Sequence, residues 1–182
     1  SRYEHIIFIA EIYNPNEYRK FLFKGEFDYL YDKVGLYDTL RDITVGKAQA
    51  WQITNCWKAQ EGFSQRMLRF MENHDEQRIA SHQFAGDPFA GIPAMIVAGT
   101  MHTGPLMLYF GQEIGEPATD AEGYSTADGR TTIFDYWCVR EYQKWVRNGK
   151  FDGTELNEKL QQIRAFYHRL LRVRLEFEAI HE

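Results

Sequence analysis

The stretch from His5 to Lys24, HIIFIAEIYNPNEYRKFLFK, decides the fold class because it predicts a strand followed directly by a helix. It is continuously apolar from Ile6 to Ala10, which is typical of a strand covered on both faces, as in a parallel sheet. Asn14 can then cap a helix, and Pro15 suits the first helical position. We therefore predict a strand within residues 5–13 and a helix immediately after it.

The same alternation recurs along the rest of the chain. Further strands are predicted at residues 27–32, 69–73 and 104–111, and further helices at residues 46–68, 88–102 and 154–174, the last of them capped by Thr154. Such strand and helix repeats predict an α/β fold with a parallel sheet and right-handed crossovers.

Two architectures fit this pattern, an open doubly wound sheet and part of an eight-fold barrel. No glycine-rich dinucleotide fingerprint follows the first strand, which disfavours a nucleotide-binding sheet. Residues 112–137 are predicted to be a loop, and a loop of that length in a compact domain is usually functional.

Length and composition narrow the function classes. The 182 residues are enough for one domain, which we place at 1–182 without a linker. The net charge of −5 lacks the basic footprint of a nucleic-acid binder, and no apolar run is long enough to span a membrane. Cys56 and Cys138 form neither a disulfide framework nor a metal-ligand spacing. Localisation stays open.

Active sites of both architectures form where the parallel strands end. Polar and aromatic side chains follow all four predicted strands at this rim: Glu11, then Asp28 and Asp32, then Asn73, His74 and Asp75, then Tyr109, Gln112 and Glu113. Paired carboxyl groups with aromatic neighbours suit glycoside chemistry, because one carboxyl group protonates the leaving oxygen and others stabilise an oxocarbenium-like transition state.

Three segments resemble motifs of the α-amylase family, glycoside hydrolase family 13. FMENHD at 70–75 resembles the family's seventh-strand motif, IAEIYN at 9–14 its fifth-strand motif, and GPLMLYFGQEIG at 104–115 its eighth-strand segment. They occur in the family's order with plausible spacing and cover nearly the whole chain. The resemblance implies half of a TIM (β/α)8 barrel, strands five to eight.

The resemblance also implies catalytic roles. Glu11 would be the general acid/base of a retaining glycoside hydrolase or transglycosylase acting on α-linked glucans. Asp75 would be the third carboxylate, which binds hydroxyls of the reacting sugar and stabilises the transition state. His74 would donate a hydrogen bond to the same sugar. The expected ligand is therefore an α-linked oligosaccharide or polysaccharide.

Three further residues receive supporting roles from the same resemblance. Asn73 would orient His74 and Asp75, Tyr13 would line the sugar site, and Arg78 would support Asp75.

The chain departs from the family's pattern in one important respect. The family needs a nucleophilic aspartate with a nearby arginine on its fourth strand, and an aspartate, asparagine and histidine motif on its third strand. Neither pattern occurs in these 182 residues. We therefore expect a catalytic-domain fragment, beginning at the fifth strand and ending at the eighth helix, that does not hydrolyse glucans alone. The alternative is a non-catalytic carbohydrate-binding or structural fragment.

A half barrel would leave unpaired strand edges, which require a partner or weak association. The missing N-terminal barrel half could lie in another chain, or two copies could pair as a homodimer and close a twofold ring. Family members often carry a structural calcium whose ligands lie mainly in the absent half, so we expect no metal and no cofactor here. Linkage preference and the choice between hydrolysis and transfer stay undecided.

Overall fold

A computed structural model describes residues 6–119, 128–131 and 139–180. Within them, three short strands form one parallel sheet in chain order, namely β1 (Ile9–Ala10), β2 (Tyr29–Tyr31) and β3 (Met67–Leu68). Ala10 pairs with Leu30, and Leu30 in turn pairs with Met67. The predicted parallel α/β arrangement is therefore confirmed for these strands.

The fourth predicted strand is reduced to a single parallel bridge between Arg69 and Leu106. Its hydrogen bonds run from the amide of Arg69 to the carbonyl of Pro105, 2.9 Å, and from the amide of Met107 to the carbonyl of Arg69, 2.8 Å. Each extended segment of the described chain thus lies beside the next one in sequence. A doubly wound sheet reverses its strand order, so this order favours the barrel alternative.

Among the residues that the structure describes, six α-helices and several shorter helical turns connect and cover the sheet. The α-helices are α1 (Tyr18–Phe23), α2 (Asp38–Thr44), α3 (Ile53–Ala59), α4 (Ile92–Thr100), α5 (Arg140–Val146) and α6 (Glu158–Glu176). The 3₁₀ turns are Pro15–Glu17, Ala50–Gln52, Ser64–Arg66, Pro88–Gly91, Gln112–Ile114, Arg147–Gly149 and Glu178–Ile180, and a π-type turn spans Lys33–Tyr37. Helices α1 to α4 supply the crossovers that parallel strands need.

The first strand differs from its prediction. Only two residues are in strand conformation, and the preceding apolar residues are not covered on both faces, since Ile7 is 62% and Phe8 is 55% exposed. The reason is that β1 lies at the edge of the described sheet and has a strand neighbour on one side only.

The predicted helix start after β1 is confirmed. The Asn14 side chain accepts a hydrogen bond from the amide of Asn16, 3.2 Å, and Pro15 occupies the first helical position of the turn that leads into α1. Tyr18 and Leu22 of α1 then pack on Ala10 and Leu30 of the sheet.

The predicted helix over 46–68 is wrong in its bounds. Gly46, with φ of 75°, terminates α2 instead of starting the next helix, and α3 is confined to Ile53–Ala59. Helix α2 was not predicted. It is only seven residues long, and the turn before it is broken at Gly35, whose φ is 129°.

Helices α4 and α6 supply the centre of the core. Met95 and Ala98 of α4 pack with Ile163, Tyr167 and Leu170 of α6, all of them buried. These two helices were predicted correctly in place and type.

The predicted cap of α6 is wrong. Asn157, and not Thr154, accepts a hydrogen bond from the amide of Leu160, 2.9 Å, while the hydroxyl of Thr154 donates to Asp152.

The remaining predictions are answered only in part. In the loop predicted at 112–137, residues 120–127 and 132–137 lie outside the described residues, as does Cys138, whereas Cys56 is a buried free thiol. In the described part of the chain, no helix is both long enough and apolar enough to cross a membrane.

Candidate active site

Glu11 and Tyr13 lie directly after β1, at the carboxyl edge of the sheet. Both side chains are exposed, and the Tyr13 hydroxyl donates a hydrogen bond to Oε1 of Glu11. This contact holds the Glu11 carboxylate at the surface, where a solute can reach it.

The cluster of Asn73, His74 and Asp75 follows the third extended segment at the same edge. Asn73 is 2% exposed, and its Oδ1 accepts hydrogen bonds from the amides of Asp75 and Glu76, both 2.9 Å. The side chains of His74 and Asp75 are about one-third exposed, with 3.5 Å between His74 Nε2 and Asp75 Oδ2. Asn73 thus shapes the turn that presents the other two side chains.

The sheet topology places Glu11 and Asp75 at the same edge, because each follows an extended segment of one parallel sheet. Burial raises the pKa of Tyr13, and the charges of Glu11 and Asp75 raise it further. Burial likewise raises the pKa of Tyr31, on the central strand β2, and the same two carboxylates add to the rise. The charges of both carboxylates thus act on the hydroxyls of Tyr13 and Tyr31, in agreement with their place at a common edge.

Arg78 occupies a different position from the one expected of a sugar-binding residue. It is fully buried beneath the rim, where its NH1 donates to Oε2 of Glu72, 2.8 Å, and its Nε donates to Oγ1 of Thr131, 2.9 Å. Its guanidinium also lies over the Tyr109 ring, 4.3 Å from the centroid. Direct contact with a substrate is excluded in this arrangement because no part of the side chain is exposed.

The two aspartates predicted for the second strand do not reach the rim. Asp28 precedes β2, at the amino end of the strand, and its carboxylate accepts a hydrogen bond from the amide of Phe8, 2.7 Å. Asp32 follows β2 but is 1% exposed and turned toward the helices, where it accepts from Gln60 Nε2, 2.6 Å, and pairs with Arg69, 3.4 Å. Both are structural residues of the sheet.

The polar residues of the fourth segment are also internal. Tyr109 is buried and donates from its hydroxyl to the carbonyl of Thr131, 2.8 Å, and Gln112 donates to the hydroxyl of Tyr167, 3.0 Å. Burial raises the pKa of Glu113, which is partly covered below the rim. The open part of the described site therefore consists of Glu11, Tyr13, His74 and Asp75.

Sequence reasoning missed the residues that support this open part. Glu72 is 2% exposed, and burial raises its pKa while the charge of Arg78 opposes the rise. Glu76 accepts from the Tyr37 hydroxyl, 2.9 Å, and pairs with Lys33, 3.2 Å. The available signal for Glu72 was an acid inside the apolar end of a strand, because a buried acid needs a partner.

Clustered metal-ligating side chains mark the place where a protein can hold an ion. The described residues contain no group of three or more histidine, cysteine, aspartate or glutamate side chains close enough to hold one.

Comparison with known proteins gives structural matches only. No family model matches the sequence, and no curated protein resembles it. Solved structures that are similar include a cyclomaltodextrinase, with TM-score 0.65 and 15% identity over 96% of this chain and 26% of that one. A cyclic α-maltosyl-(1→6)-maltose hydrolase from Arthrobacter globiformis, solved with maltose, gives TM-score 0.66 and 19% identity over 100% of this chain and 36% of that one.

An α-amylase from H. orenii is similar to the same degree, with TM-score 0.62 and 19% identity over 96% of this chain and 37% of that one. The chain has the fold of part of an α-amylase barrel. It spans between 26% and 37% of the length of these structures, and at such low identity the likeness carries the fold alone. The likeness favours the barrel alternative of the sequence analysis over the doubly wound sheet.

Proposed function

We propose that the chain carries half of the catalytic face of an α-amylase-type retaining glycoside hydrolase or transglycosylase that acts on α-linked glucans. The observation that carries the proposal is that Glu11 and Asp75 each follow an extended segment of one parallel sheet, at its carboxyl edge, where Glu11 is exposed and Asp75 is about one-third exposed. Glycoside chemistry places an acid/base carboxyl group and further carboxylates around one sugar ring.

In this proposal, Glu11 protonates the leaving glycosidic oxygen and later deprotonates the water or sugar hydroxyl that attacks. Tyr13 orients the Glu11 carboxylate through its hydrogen bond. Asp75 and His74, which lie side by side and partly exposed, bind hydroxyls of the reacting ring. Asp75 additionally stabilises positive charge on the ring carbon in the transition state.

The substrate class rests on the fold neighbours. The cyclic α-maltosyl-(1→6)-maltose hydrolase was solved with maltose and, in a second structure, with cyclic α-maltosyl-(1→6)-maltose, both of which are α-linked oligosaccharides. An open mouth with an aromatic side chain, Tyr13, beside the carboxylates is compatible with a sugar ring of this kind.

The double displacement also needs a nucleophilic carboxylate. The sequence contains no counterpart of the family's nucleophile motif, so we expect the chain by itself to bind glucan without cleaving it. The completing residues would come from an N-terminal barrel half or from a longer parent chain.

The first experiment is a titration of the chain with maltoheptaose, an α-1,4-linked glucan, followed by NMR or calorimetry. We expect saturable binding that is at least tenfold weaker for the β-linked cellohexaose, and at least tenfold weaker again in Asp75→Asn. Glu17→Gln is the matched control, because Glu17 is an exposed acid that pairs with Lys20 on the neighbouring helical turn. Equal affinity for both sugars, or equal loss in the control, would overturn the proposal.

The second candidate function is a non-catalytic carbohydrate-binding or structural fragment, which the absence of the nucleophile motif favours. The two candidates differ in the parent gene. Codons for the third-strand and fourth-strand aspartate motifs directly upstream of Ser1 would favour the enzyme. A reducing-sugar assay also separates the two candidates. The enzyme hypothesis predicts turnover once the missing barrel half is supplied, whereas the non-catalytic hypothesis predicts none.

A further inference from the structure

Residues 73–78 form a loop, here called the Asp75 loop. Glu72 precedes this loop, and its carboxylate binds the residues at the loop's other end. Oε1 of Glu72 accepts a hydrogen bond from the amide of Ile79, 2.7 Å, just after the loop. Oε2 of the same residue accepts from NH1 of Arg78, 2.8 Å, at the loop's last position. Because Glu72 itself immediately precedes the loop, its side chain fixes the distance between the two ends.

A second segment holds Arg78 in place. Residues 128–131 approach the loop so that the amide of Arg78 donates to the carbonyl of Gly129, 2.7 Å, and its NH2 donates to Oγ1 of Thr131, 2.6 Å. Gly129 has φ of 83°, and a Cβ there would lie 2.6 Å from Oγ of Ser81. Only a glycine allows this approach, so the geometry at Arg78 is narrowly defined.

The interior of the loop is tied down independently. Asn73 accepts from the amides of Asp75 and Glu76, and Glu76 in turn binds Tyr37 and Lys33 from the neighbouring segment after β2. The Asp75 backbone therefore lies between a buried anchor at Glu72 and a second anchor at Glu76.

We propose that Glu72, together with Arg78, is a positioning residue that sets the Asp75 carboxylate at the mouth. The proposal rests on the proposed function, because positioning matters only if Asp75 meets a sugar. Glu72 does not touch substrate, since it is buried beneath the rim. It acts through the loop whose two ends it joins.

The chain offers a matched control for this pair. Asp32 and Arg69 form a second buried ion pair, each 1% exposed, on the strand segments next to the loop. Their hydrogen-bond partners include Gln60, Ser64 and Leu36, none of which belongs to the Asp75 loop. Removing this pair tests the general cost of losing a buried ion pair without touching the loop.

The experiment compares Glu72→Gln/Arg78→Met with Asp32→Asn/Arg69→Met by amide hydrogen exchange, well below the unfolding temperature of both. We expect the amides of Asp75 and Glu76 to exchange at least tenfold faster in the first variant than in the second. These two amides donate to Asn73 and not to Glu72. Faster exchange there would therefore show that the loop itself has loosened, and not only that a hydrogen bond to Glu72 was lost. The Ile79 amide, which does contact Glu72, serves as the positive control.

Equal exchange at Asp75 and Glu76 in the two double variants would overturn the proposal. Glu72→Asp keeps the test valid if the double variant does not fold, because it retains the charge but is one methylene too short to reach both donors. It should show the same local increase, and an unchanged loop would again overturn the assignment. Maltoheptaose titration of the same variants separates the two proposals, since exchange can change even if the parent chain binds no sugar.

Discussion

The hydroxyl of Tyr13 donates a hydrogen bond to Oε1 of Glu11, the proposed acid/base. Tyr13→Phe keeps the ring and removes this hydrogen bond, so the Glu11 carboxylate gains rotational freedom. Because an intramolecular hydrogen bond contributes about 1 kcal/mol net, and this one is exposed, we expect maltoheptaose affinity to fall about fivefold to tenfold. Tyr29→Phe, on β2, is the control. Affinities that fall equally in the two variants would contradict the role of Tyr13.

The stability of the protein should depend on the protonation of His102. Burial lowers the pKa of His102 below the usual 6.5, and the charge of Arg69 lowers it further. As pH falls below 6.5, His102 is protonated in the unfolded chain but stays neutral in the folded chain. The free energy of unfolding therefore decreases until the pH reaches the pKa of His102 in the folded state. His102→Gln removes this loss.

Urea unfolding of both proteins from pH 8 to pH 5 measures the effect. The free energy of unfolding of the parent should decline relative to the variant below pH 6.5, whereas the difference between them should be constant from pH 7.5 to pH 8. A constant difference across the whole range would show that His102 takes up its proton equally in both states.

The packing of α4 against α6 should dominate the stability of the core. Met95 is fully buried in this contact, and Met95→Ala is expected to cost about 2–5 kcal/mol of unfolding free energy. Ile96, its neighbour in the same helix, is 44% exposed, so Ile96→Ala should cost clearly less. Denaturant unfolding of the two variants checks the ranking, and a reversed order would contradict the packing described for α4.

The sequence predicted those elements that carry their own local signals. Asn14 and Pro15 marked the helix after β1, and the buried stripe of α6 marked the last helix. Helix α2 was missed because no side chain caps it, and because Asp32 instead caps the preceding turn Lys33–Tyr37, which Gly35 breaks. Gly46 was predicted to start a helix but follows the end of α2. A glycine between two helices is compatible with either role in the sequence, and its positive φ identifies it as the end of α2.

Some residues of the candidate site could be predicted from the sequence, and others could not. Glu11 and Asp75 follow strands, so their common edge could be predicted from parallel topology alone. The support of the Asp75 loop depends on Thr131 and Gly129, which come from a distant part of the chain that no local pattern relates to Arg78. The direction of the Asp32 side chain, toward the helices and away from the rim, likewise depends on its partner Arg69.

The cap of α6 gives a direct test of structure against sequence pattern. Asn157→Ala removes the side chain that accepts from the Leu160 amide and should cost about 1 kcal/mol of unfolding free energy. Thr154→Ala, at the position that the sequence suggested, removes only contacts among exposed residues and should cost less. Thermal or denaturant unfolding of the pair decides, and an equal or larger loss in Thr154→Ala would return the cap to Thr154.

The exposed edge at β1 should drive association of two copies. Residues 6–9 are apolar and about half exposed, and β1 has no strand neighbour on its outer side within the described chain. Unpaired edges of this kind pair with other strands, and pairing β1 with the segment around Leu106 of a second copy would close a twofold ring. We therefore expect light scattering to give twice the chain mass of 21.5 kDa as concentration rises.

Two variants test whether the β1 edge is responsible. Ile7→Lys places a charge on the edge and should shift the mass back to one chain. Leu175→Lys changes an exposed apolar residue of α6 and should not shift it. A single-chain mass at every concentration would show that the edge is left open or requires the missing barrel half.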